Sequence, residues 1–338
     1  MRDCFDQPSF FASHFKLVMK SVPSLSVLVT GFWLCACSFS QAEDKTLNVL
    51  FIGNSFTGRH DLSQVVKAMA ESGQPGLKFE VTTVIYGGRT LQDHWRLGTQ
   101  NFVKLARLTP EEEKATIQSL SEAAKDPKDK YAAGALARHK ELLKSLNQPH
   151  RKWDIVVLQS YRDDMPDDPR YVEYAPKFAE LVHAQGARVV LYETTPQTQN
   201  EKPLTAAPDS APVISKERVI AALAKRIDAT VVPMSMVALH CQTVRPDLTL
   251  RFVNDAHLNQ TMAYLTACTF YGALFKQSPE GLTVDKVTDI RYLDAQNREK
   301  DRDGGPIARV FSEKDRADLQ RIAWEGLKQF SELASDAR

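Results

Sequence analysis

Asn48-Val49-Leu50-Phe51-Ile52-Gly53-Asn54-Ser55-Phe56-Thr57 is an apolar run that stops at a glycine and is followed at once by Asn54 and Ser55. An apolar run without polar alternation reads as a strand buried on both faces, the pattern of a parallel sheet covered by helices. A glycine closing such a strand, with a polar residue opening the next helix, places the Ser55 hydroxyl at the strand's carboxyl end beside the free N–H groups of a helix start. From there a serine can act as a nucleophile, provided that a base lies within reach.

Four further runs rich in Val, Ile and Leu follow: Phe79–Ile85, Asp154–Gln159, Arg188–Glu193 and Thr230–Pro233. Helical periodicity lies between and after them, marked by Leu62, Val65, Val66 and Met69; by Phe178, Leu181 and Val182; by Val219, Ile220, Leu223 and Ile227; and by Met262, Leu265, Phe270 and Leu274. Strand–helix alternation predicts an α/β fold, a five-stranded parallel sheet with helices on both faces. Sites on such sheets gather at the carboxyl ends of the strands, where Ser55 stands. The stretch of about 96–152 exceeds a simple crossover, and Glu111–Lys125 and Tyr131–Leu146 read as two charged amphipathic helices inserted between strands two and three. This insertion is either a surface decoration or a wall of the cleft. Asp294–Pro306 reads as a loop, and Ser312-Glu313-Lys314-Asp315 as a capping-box variant opening a last helix over about 313–333.

Before the fold, Val22–Ala36 is apolar, preceded by Lys16 and Lys20 and followed by Ser40-Gln41-Ala42. This is the pattern of a secretory signal over 1–42 cleaved after Ala42, leaving one domain over 43–338 that is secreted or periplasmic. The run is shorter than the roughly 18–20 apolar residues of a spanning helix. Leu34-Cys35-Ala36-Cys37 also resembles a lipoprotein box, so lipidation at Cys37 is the one route to a membrane. Of five cysteines, Cys4, Cys35 and Cys37 fall in the signal; Cys241 and Cys268 remain, either as a disulfide or as two buried thiols. No Cys/His spacing suggests a metal. With 43 Lys+Arg against 42 Asp+Glu, the net charge of +1 provides no whole-chain field for nucleic acid.

The base is sought among eight histidines. His14 lies in the signal; His139, His150 and His183 read as surface residues; His60 as a cleft-edge residue; His240 as part of a loop after strand five. His257 differs, because Asn254-Asp255-Ala256-His257 places it beside a carboxylate in a polar segment just before a helix. A carboxylate fixing an imidazole tautomer against a serine is compact chemistry; the plainer reading of the segment is a helix cap. His94, after Asp93, either contacts substrate or packs at a helix start. Arg89 either meets a negatively charged substrate group or is a surface arginine.

Gly53-Asn54-Ser55, Tyr86-Gly87-Gly88-Arg89-Thr90-Leu91 and the late acidic–His segment together resemble the SGNH (GDSL-like) hydrolases, most closely a secreted branch with a Gly-Asn-Ser first block. The resemblance spans about Leu47 to Leu274. It implies a flavodoxin-like three-layer α/β/α fold and an esterase or acylhydrolase activity without cofactor or metal. Carried over, Ser55 is the nucleophile and His257 the base. The oxyanion hole comprises the N–H groups of Ser55 and of Gly87 or Gly88, Gly88 being preferred, with Asn54, Gly87 and His94 beside the substrate. Two blocks depart from the family. Gln159 stands in the place of an oxyanion asparagine and is the expected third oxyanion donor through its side-chain amide. The position three before the histidine holds Asn254, so Asp255 is the expected partner of His257. The expected substrate is a short acyl ester, such as acetyl on a carbohydrate. The rival readings are a secreted carbohydrate-binding or scaffolding protein with a degenerate hydrolase fold, and a phosphodiester or sulfate-ester hydrolase.

Overall fold

A computed structural model of the protein describes residues 45–150, 152–161, 169–194 and 199–336. The expected signal over 1–42, with its cysteines and the Cys37 lipidation, lies outside the described residues, as do Arg162-Asp163-Asp164 and Thr195-Pro196.

The opening run is the centre of strand β1 (Lys45–Gly53), followed by a helical turn α1 (Ser55–Gly58) and helix α2 (Leu62–Gly73). Strands β2 (Leu77–Ile85), β3 (Ile155–Leu158), β4 (Arg188–Glu193) and β5 (Ala229–Pro233) complete a sheet ordered β2-β1-β3-β4-β5. Every neighbouring pair is parallel. That is the strand order of a flavodoxin-like doubly wound sheet, and the layers on its two faces make the fold three-layer α/β/α.

β1 shows why the run lacks alternation. Val49 and Phe51 point into one core while Leu50 and Ile52 point into the other, and all four are fully buried. On the first face pack α2, α9 (Met234–Val244), α10 (Gln260–Phe275) and part of α11 (Glu313–Asp336). The second face is covered by α3 (Leu91–Arg96), α4 (Thr99–Val103), α5 (Pro110–Ala123), α6 (Ala132–Ser145), α7 (Pro169–His183) and α8 (Ala211–Arg226). Helix α10 is buried from Gln260 through Leu274, as a helix apolar on every side must be.

α5 and α6 are the two expected inserted helices. They pack on each other and bury a polar pair, so His139 is corrected from surface to core: its Nδ1 is 2.7 Å from Glu113 Oε1 and its Nε2 3.1 Å from the Leu97 carbonyl. His240 is likewise corrected from loop to helix. It lies in α9, which follows β5 directly, and its Nε2 is 2.7 Å from Glu325 Oε2 on α11. Cys241 and Cys268 are separate buried thiols, and burial pushes Cys241 up to about 12.

The expected loop over 294–306 is flanked by a hairpin that hydrophobic pattern does not announce, β6 (Lys286–Thr288) against β7 (Ala308–Val310), antiparallel. Its strands are too short for a pattern to register. Ser312 caps α11 as expected, its Oγ accepting the Asp315 N–H at 3.1 Å.

Candidate active site

The carboxyl end of β1 is crowded. A Cβ on Gly53 would stand 2.4 Å from Thr57 Oγ1 and 2.7 Å from Gln159 Oε1, so glycine is required there by close approach. Asn54 caps α1, its Oδ1 accepting the Phe56 N–H at 2.9 Å. The Asn54 N–H donates to Gln159 Oε1 at 2.8 Å, and Thr57 Oγ1 donates to the same oxygen at 3.1 Å. Gln159 Nε2 donates to the Ser160 carbonyl at 2.6 Å. These contacts hold the turn that delivers Ser55. They also correct two expectations. Gln159 is fully buried and clamps the turn from beneath instead of offering its amide to an oxyanion. Asn54, 1 % exposed, is a cap and not a substrate contact.

Helix α10 is capped by Asn259, and the polar loop before it carries His257 back to Ser55. His257 Nε2 lies 2.8 Å from Ser55 Oγ, across 202 positions of sequence. His257 Nδ1 meets Asp255 Oδ1 in a short contact. With Nδ1–H donated to that carboxylate, Nε2 is left to accept the serine proton. Asn254 is exposed, and its backbone N–H donates to Asp303 Oδ1 at 2.8 Å. The carboxylate two positions before the histidine, not the amide three before it, stands against the ring. Phe56 packs beside His257 with ring centroids 5.4 Å apart.

Behind Asp255 stands a second buried group. Arg59 Nη1 donates to Asp255 Oδ2 at 2.6 Å, while its Nε and Nη2 grip Asp289 at 3.1 and 2.6 Å. Burial works against ionisation of Asp255, but the hydrogen bonds from His257 and Arg59 outweigh it and hold the carboxyl below its usual range. Burial would likewise lower Arg59, yet Asp289 and Asp255 together raise it. His60, expected at the cleft edge, is corrected to a buried position. It adopts φ 58° and donates Nε2–H to the Leu258 carbonyl at 2.8 Å, and burial lowers its pKa. Neither Arg59 nor Asp289 is announced by any motif. Arg59 sits just past the serine turn, but its partner comes from the hairpin 230 positions away.

Beside the serine turn lies the β2–α3 turn, the Tyr86 N–H donating to the Gly53 carbonyl at 3.0 Å and Asn54 Nδ2 to the Arg89 carbonyl at 3.4 Å. Gly88 has φ +64°, with open space where a Cβ would stand. Neither the Ser55 N–H nor the Gly88 N–H has an acceptor among the described residues. Gly87 is exposed, and its carbonyl accepts from Tyr131 Oη at 2.5 Å. The insertion therefore walls this edge, since Tyr131 opens α6. His94 is corrected from substrate contact to core. It is fully buried, Nε2 donating to the Gly53 carbonyl and Nδ1 facing Thr99 Oγ1, both at 3.0 Å. Burial lowers its pKa to about 4, so it is a neutral strut under the serine strand. Among the described residues no group of His, Cys, Asp and Glu is arranged to hold a metal ion.

No protein-family model matches the chain, and no curated protein matches it. Two solved structures are similar to it. One is a DUF4886 family protein from Bacteroides uniformis, at 15 % identity and a TM-score of 0.48, covering 84 % of this chain and 95 % of that one. The other is a gut microbial diltiazem-metabolizing enzyme, at 12 % identity and a TM-score of 0.33, covering 69 % of this chain. The match spans 47 % of that enzyme's length.

Proposed function

We propose that the chain is a serine esterase of SGNH type, cleaving a short acyl ester through an acyl-enzyme. The observation that carries this reading is the 2.8 Å approach of Ser55 Oγ to His257 Nε2, with Asp255 on the other ring nitrogen. A serine hydroxyl is a weak nucleophile until a base takes its proton, and this arrangement supplies the base and fixes its tautomer.

Ser55 Oγ attacks the ester carbonyl carbon as His257 Nε2 takes its proton. The resulting oxyanion is held by the N–H groups of Ser55 and Gly88. The C–O bond to the alcohol then breaks, and His257 returns the proton to the departing alkoxide. Water, deprotonated by His257, attacks the acyl-serine and releases the acid, restoring Ser55. With Gln159 occupied below the turn, two backbone donors carry the oxyanion; each such donor is typically worth about 10²–10³ in turnover. The protein is secreted or periplasmic by the same reading, and acetyl or another short acyl group on a carbohydrate is the proposed substrate class.

A fluorophosphonate probe tests the proposal. Stoichiometric labelling at Ser55, absent in Ser55→Ala and strongly reduced in His257→Ala, is expected. A folded chain that never labels overturns it.

A further inference from the structure

Beside the glycine pair, the β2–α3 turn and the insertion border an open recess of about 460 Å³. Four cations, Arg89, Arg96, Lys128 and Lys130, line it with Tyr131 and the carboxylates of Asp126 and Asp129. Both carboxylates are already engaged. Asp129 Oδ2 accepts from Arg96 Nη1 at 2.5 Å, and its Oδ1 accepts the N–H groups of Tyr131 and Ala132. Asp126 Oδ1 accepts the Lys128 N–H at 2.9 Å. Arg89, Lys128 and Lys130 have no ion pair among the described residues.

Arg89 gives the recess its meaning. Its guanidinium lies 4.6 Å from the centroid of the Tyr131 ring, which is itself tethered to the Gly87 carbonyl. Its Nε is buried and has no hydrogen-bond partner among the described residues. A buried donor without an acceptor is rare in a folded protein and asks for an explanation. Its backbone is anchored at the serine turn, the Arg89 carbonyl accepting from Asn54 Nδ2 at 3.4 Å and from the Tyr161 N–H at 3.1 Å. A guanidinium lying over an aromatic face, one residue beyond Gly88 and with a donor left unpaired, can receive two oxygens of an anion.

We propose that this recess is an anion subsite of the same cleft, so that the substrate is an ester bearing an oxyanionic group, and that Arg89 determines this specificity. The inference rests on the esterase reading for the word substrate, but not for the binding of the anion. The fork accepts a carboxylate, as on an acidic sugar, or a sulfate-type group. The Tyr131 ring lies against the guanidinium, and Lys128 and Lys130 add attraction that salt screens.

The test uses three acetyl esters: phenyl acetate, 4-acetoxybenzoate and 4-acetoxybenzenesulfonate. In a Ser55→Ala background, calorimetry measures binding without turnover. At least one charged ester is expected to bind more tightly than phenyl acetate, with that preference falling by about tenfold or more in Arg89→Met, the scale of a charge-assisted bidentate contact. Arg89→Lys, which keeps the charge but not the fork, should lose most of it too. Which charged ester responds names the anion. With Ser55 intact, the charged-to-neutral ratio of kcat/KM should fall by the same factor, intrinsic ester reactivity cancelling between variants. If Arg89→Met does not fold, Lys128→Ala/Lys130→Ala should reduce the same preference and its dependence on salt. Charged and neutral esters bound alike by the parent chain, or a preference unmoved by these variants, overturns the subsite. A chain that binds the charged ester through Arg89 yet hydrolyses none overturns the esterase reading alone.

Discussion

Arg59 and Asp255 form an ion pair of 2.6 Å, both side chains largely shielded from water, on the far side of the carboxylate from His257. Asp255 thus has one oxygen for the histidine and one for the arginine, and Asp289 fixes the arginine in turn. A carboxylate held through one oxygen by Arg59 Nη1, a guanidinium itself gripped by Asp289, resists rotating away from the imidazole on its other oxygen. The consequence is that the geometry around the serine is set by a hairpin remote from it.

Asp255→Asn is expected to lower kcat/KM on a reactive ester by about 10⁴, the scale of the equivalent change in serine proteases, where the imidazole is left in the wrong tautomer. Asn254→Ala, at an exposed side chain, should change it by no more than a few-fold. Steady-state kinetics of the two variants separate them. Equal losses would show that Asn254 shares the orienting role.

Arg59→Met removes the arginine paired with Asp289 and the nearer of the two arginines on Asp255. Asp289 is fully buried, and stranding such a charge typically costs about 3–5 kcal/mol. Arg59→Met/Asp289→Asn should recover much of that stability, since the stranded charge is gone, yet remain slower than the parent because Asp255 has lost its tether. Denaturant melts with parallel kinetics test this. A double variant no more stable than Arg59→Met would refute the charge argument.

Gly53→Ala places a methyl where Thr57 Oγ1 and Gln159 Oε1 already stand, within 2.7 Å. Overpacking of this kind costs about 1–3 kcal/mol and moves the turn that carries Ser55. A lower melting temperature together with a fall in probe labelling is expected. Loss of stability with labelling rate intact would mean that the turn tolerates the shift.

His94 has its pKa lowered to about 4 in the fold, from 6.5 when exposed, because burial penalises its charged form. Between those values the unfolded chain binds the extra proton, so stability is intact above about pH 6.5 and declines as pH falls toward 4. His94→Gln should flatten this part of the stability–pH curve, even if it is less stable at neutral pH. Asp255, held below its usual range, acts in the same sense at lower pH, its contribution fading as pH falls through that depressed value. Chemical denaturation at intervals between pH 4 and 8 measures the slopes, and parallel curves for parent and His94→Gln would rule out the assignment.

The sequence by itself determined the sheet and its serine. Burial on both faces leaves an uninterrupted apolar run, and that run is legible without any knowledge of neighbours, so β1 through β5 and the place of Ser55 follow from it. The Asp255–His257 pairing was also legible, since two residues on one short loop need no fold to bring them near. Only the tertiary structure decided the rest. Gln159 and His94 have side chains that suit an active site, but the sheet packs them beneath it, and a polar residue's letter does not say whether its donors face a cleft or a backbone carbonyl. His139 reads as a surface residue until two helices close over it and Glu113. The union of Arg59 with Asp289 depends on where a hairpin lands, a long-range contact that no local periodicity encodes.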